Sequence, residues 1–221
     1  MNFTRYGIYF TPRSGAFSDA GSAWLGWDLI NGQVGEMHDN DITARPRKYG
    51  FHGTIKPPFS LNAGTHEADL KMAIIDLCAT LEPVALEGLT LSRIGSFLAL
   101  TPVGDVRELG RMAARVVQEL DHFRAPANAD EIARRKSAKL TPLQEENLRK
   151  WGYPYVMEAF KFHMTLTGPL PNALVGKVTA DANAHFADLP PRPFLIDSLT
   201  LVGEAEDGMF REIQRYTLSR K

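Results

Sequence analysis

The 221-residue chain carries 25 Lys and Arg against 26 Asp and Glu, a formal net charge of −1, so no global positive field draws it to long nucleic acid. With 44% hydrophobic residues it can bury a full core, and it reads as a single bilobal domain over 1–221. No charged-then-apolar leader and no apolar run of membrane-spanning length is present. The lone Cys78 excludes an intrachain disulfide, so a soluble protein of a reducing cytoplasm is expected.

In chain order, Tyr6 to Phe10 is a short β-rich run ended by Thr11-Pro12. Basic residues Arg45, Arg47 and Lys48 precede Phe51-His52-Gly53-Thr54-Ile55, which is followed by Pro58-Phe59. Leu70, Ala73, Ile74, Leu77, Cys78 and Leu81 recur at helical spacing, with Cys78 a small hydrophobe on the apolar stripe. Leu89-Thr90-Leu91 and Phe97 to Thr101 read as strands. Val106, Leu109, Met112, Ala113, Val116, Val117 and Leu120 then make an amphipathic helix that covers a sheet.

The polar stretch from about 126 to 154 reads as a helical insertion, hairpin-like in form. Within it Thr141-Pro142-Leu143-Gln144 combines a cap residue, a proline at the first helical position and a glutamine three after the cap. A helix is therefore expected from there towards Trp151, before Gly152 and Pro154 end it. The aromatic run Trp151, Tyr153, Tyr155 favours a substrate lid over a solvated decoration. Phe162-His163-Met164-Thr165-Leu166 and Pro169-Leu170 follow, then a helical stripe from Leu174 to Phe186, Leu199-Thr200-Leu201, and a strand from Phe210 to Leu218.

The two motifs share the pattern Phe-His-x-Thr-(Ile/Leu)-x-x-Pro-(Phe/Leu), and each is followed at nearly the same distance by Leu-Thr-Leu with a helix between. A single His-x-Thr is more often structural than catalytic; a repeat that preserves both its polar and its apolar positions is poorly explained by chance. In an extended chain residues i and i+2 point the same way, so His and Thr share one face while their apolar neighbours face the core. Imidazoles titrate near neutrality, so one can take a proton while the other supplies one, with a hydroxyl donating to the same reacting group. That set suits the opening of a phosphodiester.

By the same period Lys56 and Lys161 share the faces of their motifs, where they could hold a second phosphate. Neither motif has an Asp, Glu or second His within a few positions, which favours metal-independent chemistry. Gly-rich phosphate loops and Gly-x-Ser-x-Gly are absent, so ATP, dinucleotide and serine-nucleophile chemistry are not supported, and no cofactor is expected.

The two His-x-Thr motifs resemble those of the 2H phosphoesterase superfamily. The runs from Arg47 to Lys56, Arg5 to Phe10, Gly21 to Gly26 and Trp151 to Pro169 resemble its DUF1045 branch, whose members are described as phosphonate metabolism proteins. The resemblance covers essentially the whole chain. It implies an α+β, pseudo-symmetric fold with two antiparallel β-sheets facing a central cleft and helices outside. It further implies a cyclic phosphodiesterase with His52 and His163 catalytic and Thr54 and Thr165 on the phosphate. The phosphonate link suggests 5-phosphoribosyl 1,2-cyclic phosphate as a small-molecule substrate, with Lys48, Lys56, Lys161, Arg134 and Tyr155 as further phosphate-binding candidates. A 2′,3′-cyclic nucleotide or RNA-end phosphodiesterase, and a nucleotide- or RNA-binding protein without turnover, are the alternatives.

Overall fold

The computed structural model describes residues 2–35, 40–127 and 139–219. Strand β1 (Arg5–Phe10) leads through α1 (Ala16–Leu25), the small hairpin β2 (Trp27–Asp28) and β3 (Gln33–Val34), and α2 (Asn40–Arg47) to β4 (Gly53–Phe59). Then come α3 (Glu67–Cys78), β5 (Val84–Leu86), β6 (Gly88–Ile94), β7 (Phe97–Val103), α4 (Arg107–Glu119) and α5 (Pro142–Trp151). The chain ends with β8 (Met164–Thr165), α6 (Asn172–His185), β9 (Phe194–Ile196), β10 (Ser198–Glu204) and β11 (Phe210–Thr217). No described helix is long and apolar enough to cross a membrane.

The fold is α+β with antiparallel pairing throughout the main sheet. Its seven strands run β11-β10-β1-β4-β8-β7-β6, and short β5 pairs with β9 separately. The two sheets expected from the sequence are two halves of this ladder, joined between β4 and β8 by the single pair Gly53–Met164. The repeat is visible in the order of elements: a leading strand (β1, β7), a motif strand (β4, β8), a helix (α3, α6), a short strand (β5, β9) and a Leu-Thr-Leu strand (β6, β10). The two units exchange their last strands. Strand β10 pairs with β1 of the first unit, and β6 pairs with β7 of the second.

Burial follows the period predicted for each motif. Phe51, Gly53 and Ile55 are buried around partly exposed His52 and Thr54, and Phe162, Met164 and Leu166 around partly exposed His163 and Thr165. Gly53 has no room for a side chain, because a Cβ there would lie 2.3 Å from the Phe162 ring of the other motif. The seam between the two units is thus closed by one motif's phenylalanine under the other motif's glycine. The helical stripes pack as expected: Leu70, Ile74, Leu77 and Cys78 of α3 and Leu109, Met112, Ala113 and Val116 of α4 belong to one core with Ile8, Ile55 and Met164. Burial pushes the Cys78 thiol up to about 12, so it packs as an apolar group.

Candidate active site

Each motif histidine sits one residue before its strand, and each is oriented by its own backbone. His52 Nδ1 lies 2.9 Å from the Gly50 carbonyl and His163 Nδ1 lies 2.8 Å from the Lys161 carbonyl, in both cases two residues upstream. A carbonyl only accepts, so Nδ1 carries the proton in both rings and Nε2 is left for chemistry. The Thr54 hydroxyl donates to His52 Nε2 at 3.0 Å. Neither His163 Nε2 nor the Thr165 hydroxyl has a hydrogen-bond partner among the described residues. Continuing the Gly53–Met164 register sets His52 opposite Thr165 and Thr54 opposite His163, a square of four side chains on one face of adjacent strands.

Rings from the neighbouring strands hold the imidazoles. Tyr9 of β1 stacks on His52 with centroids 3.8 Å apart and planes inclined by 20°, and Phe97 of β7 lies 5.8 Å from His163. Burial lowers the His52 pKa from 6.5 to about 4; the Gly50 bond opposes the shift and the charge of nearby His163 adds to it. His52 is therefore a neutral acceptor at pH 7. The Tyr9 phenol, fully buried, is pushed well above its ordinary value and stays protonated. Helices α1 and α2 brace the second motif, with the Trp24 indole donating to the Leu166 carbonyl at 2.9 Å and the Gly168 N–H to the Ile42 carbonyl at 2.7 Å.

The further phosphate-binding candidates scatter. Lys48 is half-buried with its ammonium 4.6 Å over the Tyr49 ring, close enough to favour the ionised form of Glu204. Lys161 is exposed, and it is its carbonyl that holds His163. Tyr155 is 45% exposed with its ring edge-on to Tyr153. Arg134 lies outside the described residues. Lys56 departs from expectation: it does not share the open face of Thr54. The β1–β4 register shifts between Ile8 and Tyr9, which face Lys56 and Thr54, so the period-two alternation breaks there. Lys56 is 2% exposed, and its ammonium bonds the Val117 carbonyl at 3.1 Å and Asp121 at 3.4 Å.

Sequence reading passed over Tyr9, Arg5 and Arg124 as site residues. Arg5 makes a two-pronged pair with Glu204 (2.5 and 2.7 Å), and Arg124 a two-pronged pair with Asp121 (2.8 and 2.9 Å). The available signal was the strand beside each motif, since both β1 and β7 bring a ring to a motif imidazole.

A family model described as "Protein of unknown function (DUF1045)" matches residues 54–211, and the chain belongs to that family. It is 35% identical to a Janthinobacterium sp. (strain Marseille) protein named ribose 1,5-bisphosphate phosphokinase PhnN, over 99% of this chain and 51% of that protein. It is 33% identical to a protein of the same name from Laribacter hongkongensis (strain HLHK9), over 92% and 49% respectively. The chain therefore spans about half the length of these curated relatives. Among solved structures it is similar to TT0787 of Thermus thermophilus (13% identity, TM-score 0.48, 98% and 99% of the two chains covered). It is also similar to E. coli LigT complexed with NADP+ (11% identity, TM-score 0.46, 99% and 100% covered).

Proposed function

We propose that the chain is a cyclic phosphodiesterase of two-histidine type and that its substrate is 5-phosphoribosyl 1,2-cyclic phosphate. The observation that carries the reading is the matched pair of imidazoles, each fixed through Nδ1 to the carbonyl two residues upstream and each leaving Nε2 on the shared face. Neutral His52 takes a proton from the attacking water at Nε2 as the water oxygen bonds to phosphorus. The bond from phosphorus to the sugar O2 breaks on the opposite side, and O2 takes a proton from Nε2 of His163, acting as the acid. One water is added, and the two histidines return to their starting states by exchange with solvent. Thr165 and, once released from His52, Thr54 donate to the non-bridging oxygens.

Two things support the sugar as substrate. Breaking the bond to O2 leaves the phosphate on C1, and with the 5-phosphate in place the product is ribose 1,5-bisphosphate, the compound in the relatives' name. The second is the balanced net charge, which offers no general attraction for RNA. No Gly-x-x-x-x-Gly-Lys-Ser/Thr loop occurs in this chain, so the reading leaves the named kinase to the part of those relatives that it does not match. The test is phosphorus NMR of the products formed from 5-phosphoribosyl 1,2-cyclic phosphate and, separately, from 2′,3′-cyclic nucleotides. Conversion of the sugar to ribose 1,5-bisphosphate is expected. Turnover of nucleotides alone would overturn the substrate, and turnover of neither would overturn the reaction.

A further inference from the structure

A cavity of about 240 Å³, lined by neither motif histidine, takes no part in the proposed chemistry. Arg5, Lys56, Arg124, Trp151 and Tyr153 are among its lining residues. It collects cations from three parts of the chain: the start of β1, the middle of β4 and the turn after α4. Among the described residues their carboxylate partners are Glu204 and Asp121, two against three cations. Lys56 is held there against its solvation, since burial lowers its pKa to about 8. An ammonium kept out of water with one distant carboxylate, one carbonyl and an open cavity beside it is placed to meet an anion.

A run of rings leads from the cavity to His52. The Arg5 guanidinium lies 5.9 Å from the Phe210 centroid, Phe210 lies 6.0 Å from Tyr9, and Tyr9 stacks on His52 at 3.8 Å. A Cβ on Gly7 would lie 3.0 Å from the far edge of the Tyr9 ring, so that ring lies along β1 over Gly7 with its hydroxyl directed towards Arg5. This hydroxyl makes no hydrogen bond to a described residue and its oxygen keeps contact with solvent. The positive charge of Arg5, which lines the cavity, acts on the same phenol.

We propose that this cavity receives a terminal phosphomonoester of the substrate while the two histidines act on its cyclic phosphate, with Arg5, Lys56 and Arg124 as the anion's cationic wall and Tyr9 as the donor between the two groups. The proposal rests on the cyclic phosphodiesterase reading and adds the location of its specificity. A phosphomonoester is close to a dianion at pH 7, which suits a wall of this charge. A cyclic phosphate without a terminal phosphate leaves the wall empty and loses that binding energy.

Binding can be read without turnover, using ribose 5-phosphate as the probe and ribose as its control in isothermal titration calorimetry. The probe is expected to bind the parent and, unchanged, a His52→Ala, His163→Ala double variant, while ribose gives no signal. Arg124→Gln is expected to weaken the probe by about tenfold or more, the scale of one charge-assisted hydrogen bond. Because that change also strips a partner from Asp121, Ser60→Glu serves as a second variant: it sets a carboxylate at the exposed rim without breaking an ion pair and is expected to weaken the probe as well. No binding to the parent, equal binding to both cavity variants, or loss of binding in the double histidine variant would each overturn the proposal. Failure of cyclic phosphate turnover with the probe still bound would instead count against the reaction alone.

Discussion

His52 is where burial and chemistry meet most sharply. Its lowered pKa means that the unfolded chain takes up the proton near pH 6.5 while the native ring resists until about 4, so stability falls as pH drops through that window. The full effect is about 3 kcal/mol at 1.36 kcal/mol per unit, and His52→Gln should flatten the pH dependence of the urea midpoint between pH 4 and 6.5. Proton NMR of the free protein should show the ring neutral down to about pH 4; titration near 6.5 would remove His52 as the resting base. Lys56 has the opposite balance. Above its unfolded pKa the side chain is neutral in both states; as pH falls to about 8 the native state loses ground, and at pH 7 the whole cost is present. Lys56→Met should therefore raise stability at pH 7 by up to about 3 kcal/mol, with Asp121 still paired to Arg124; a lower urea midpoint would contradict the assignment. The four motif residues were legible because strand period and repetition both marked them. Tyr9, Arg5 and Arg124 were not, since each comes from a segment with no motif of its own and meets the site through long-range packing.

Among the elements, α5 shows how local chemistry can be read directly. The Thr141 hydroxyl accepts from the Gln144 N–H at 3.3 Å and the Gln144 side chain accepts from the Thr141 N–H at 2.9 Å, the reciprocal cap expected from the sequence. Thr141→Ala should cost about 1 kcal/mol in denaturant melts, and no change would mean the helix is held by packing alone. Helix α3 begins three residues earlier than its apolar stripe because Asp69 caps the His66 N–H at 2.9 Å. Helices α1 and α2 were missed: α1 opens after Gly15 and holds Gly21, and α2 carries Pro46 with few apolar residues. Strand β4 carries a close approach at the seam between the two motifs, Gly53 under the Phe162 ring. Gly53→Ala should cost about 1–3 kcal/mol through overpacking and should lower turnover as well, because the displaced Phe162 precedes His163 directly.

Across the whole molecule, the repeated motif and Leu-Thr-Leu announced two related units, and the seven-stranded ladder contains them. The exchange of β6 and β10 between units could not be read in advance, because strand pairing over such separations leaves no local signal. That exchange and the single-pair seam bring two copies of one motif side by side on adjacent strands, the arrangement that the proposed acid and base require. The most direct test of this account is the turnover number for 5-phosphoribosyl 1,2-cyclic phosphate, measured in EDTA for the parent, His52→Ala and His163→Ala, with circular dichroism of each. Full parent activity in EDTA is expected, with a loss of about 100- to 10,000-fold in each variant and an unchanged fold. Abolition of parent activity by EDTA, or near-parent turnover in either folded variant, would contradict the two-histidine mechanism.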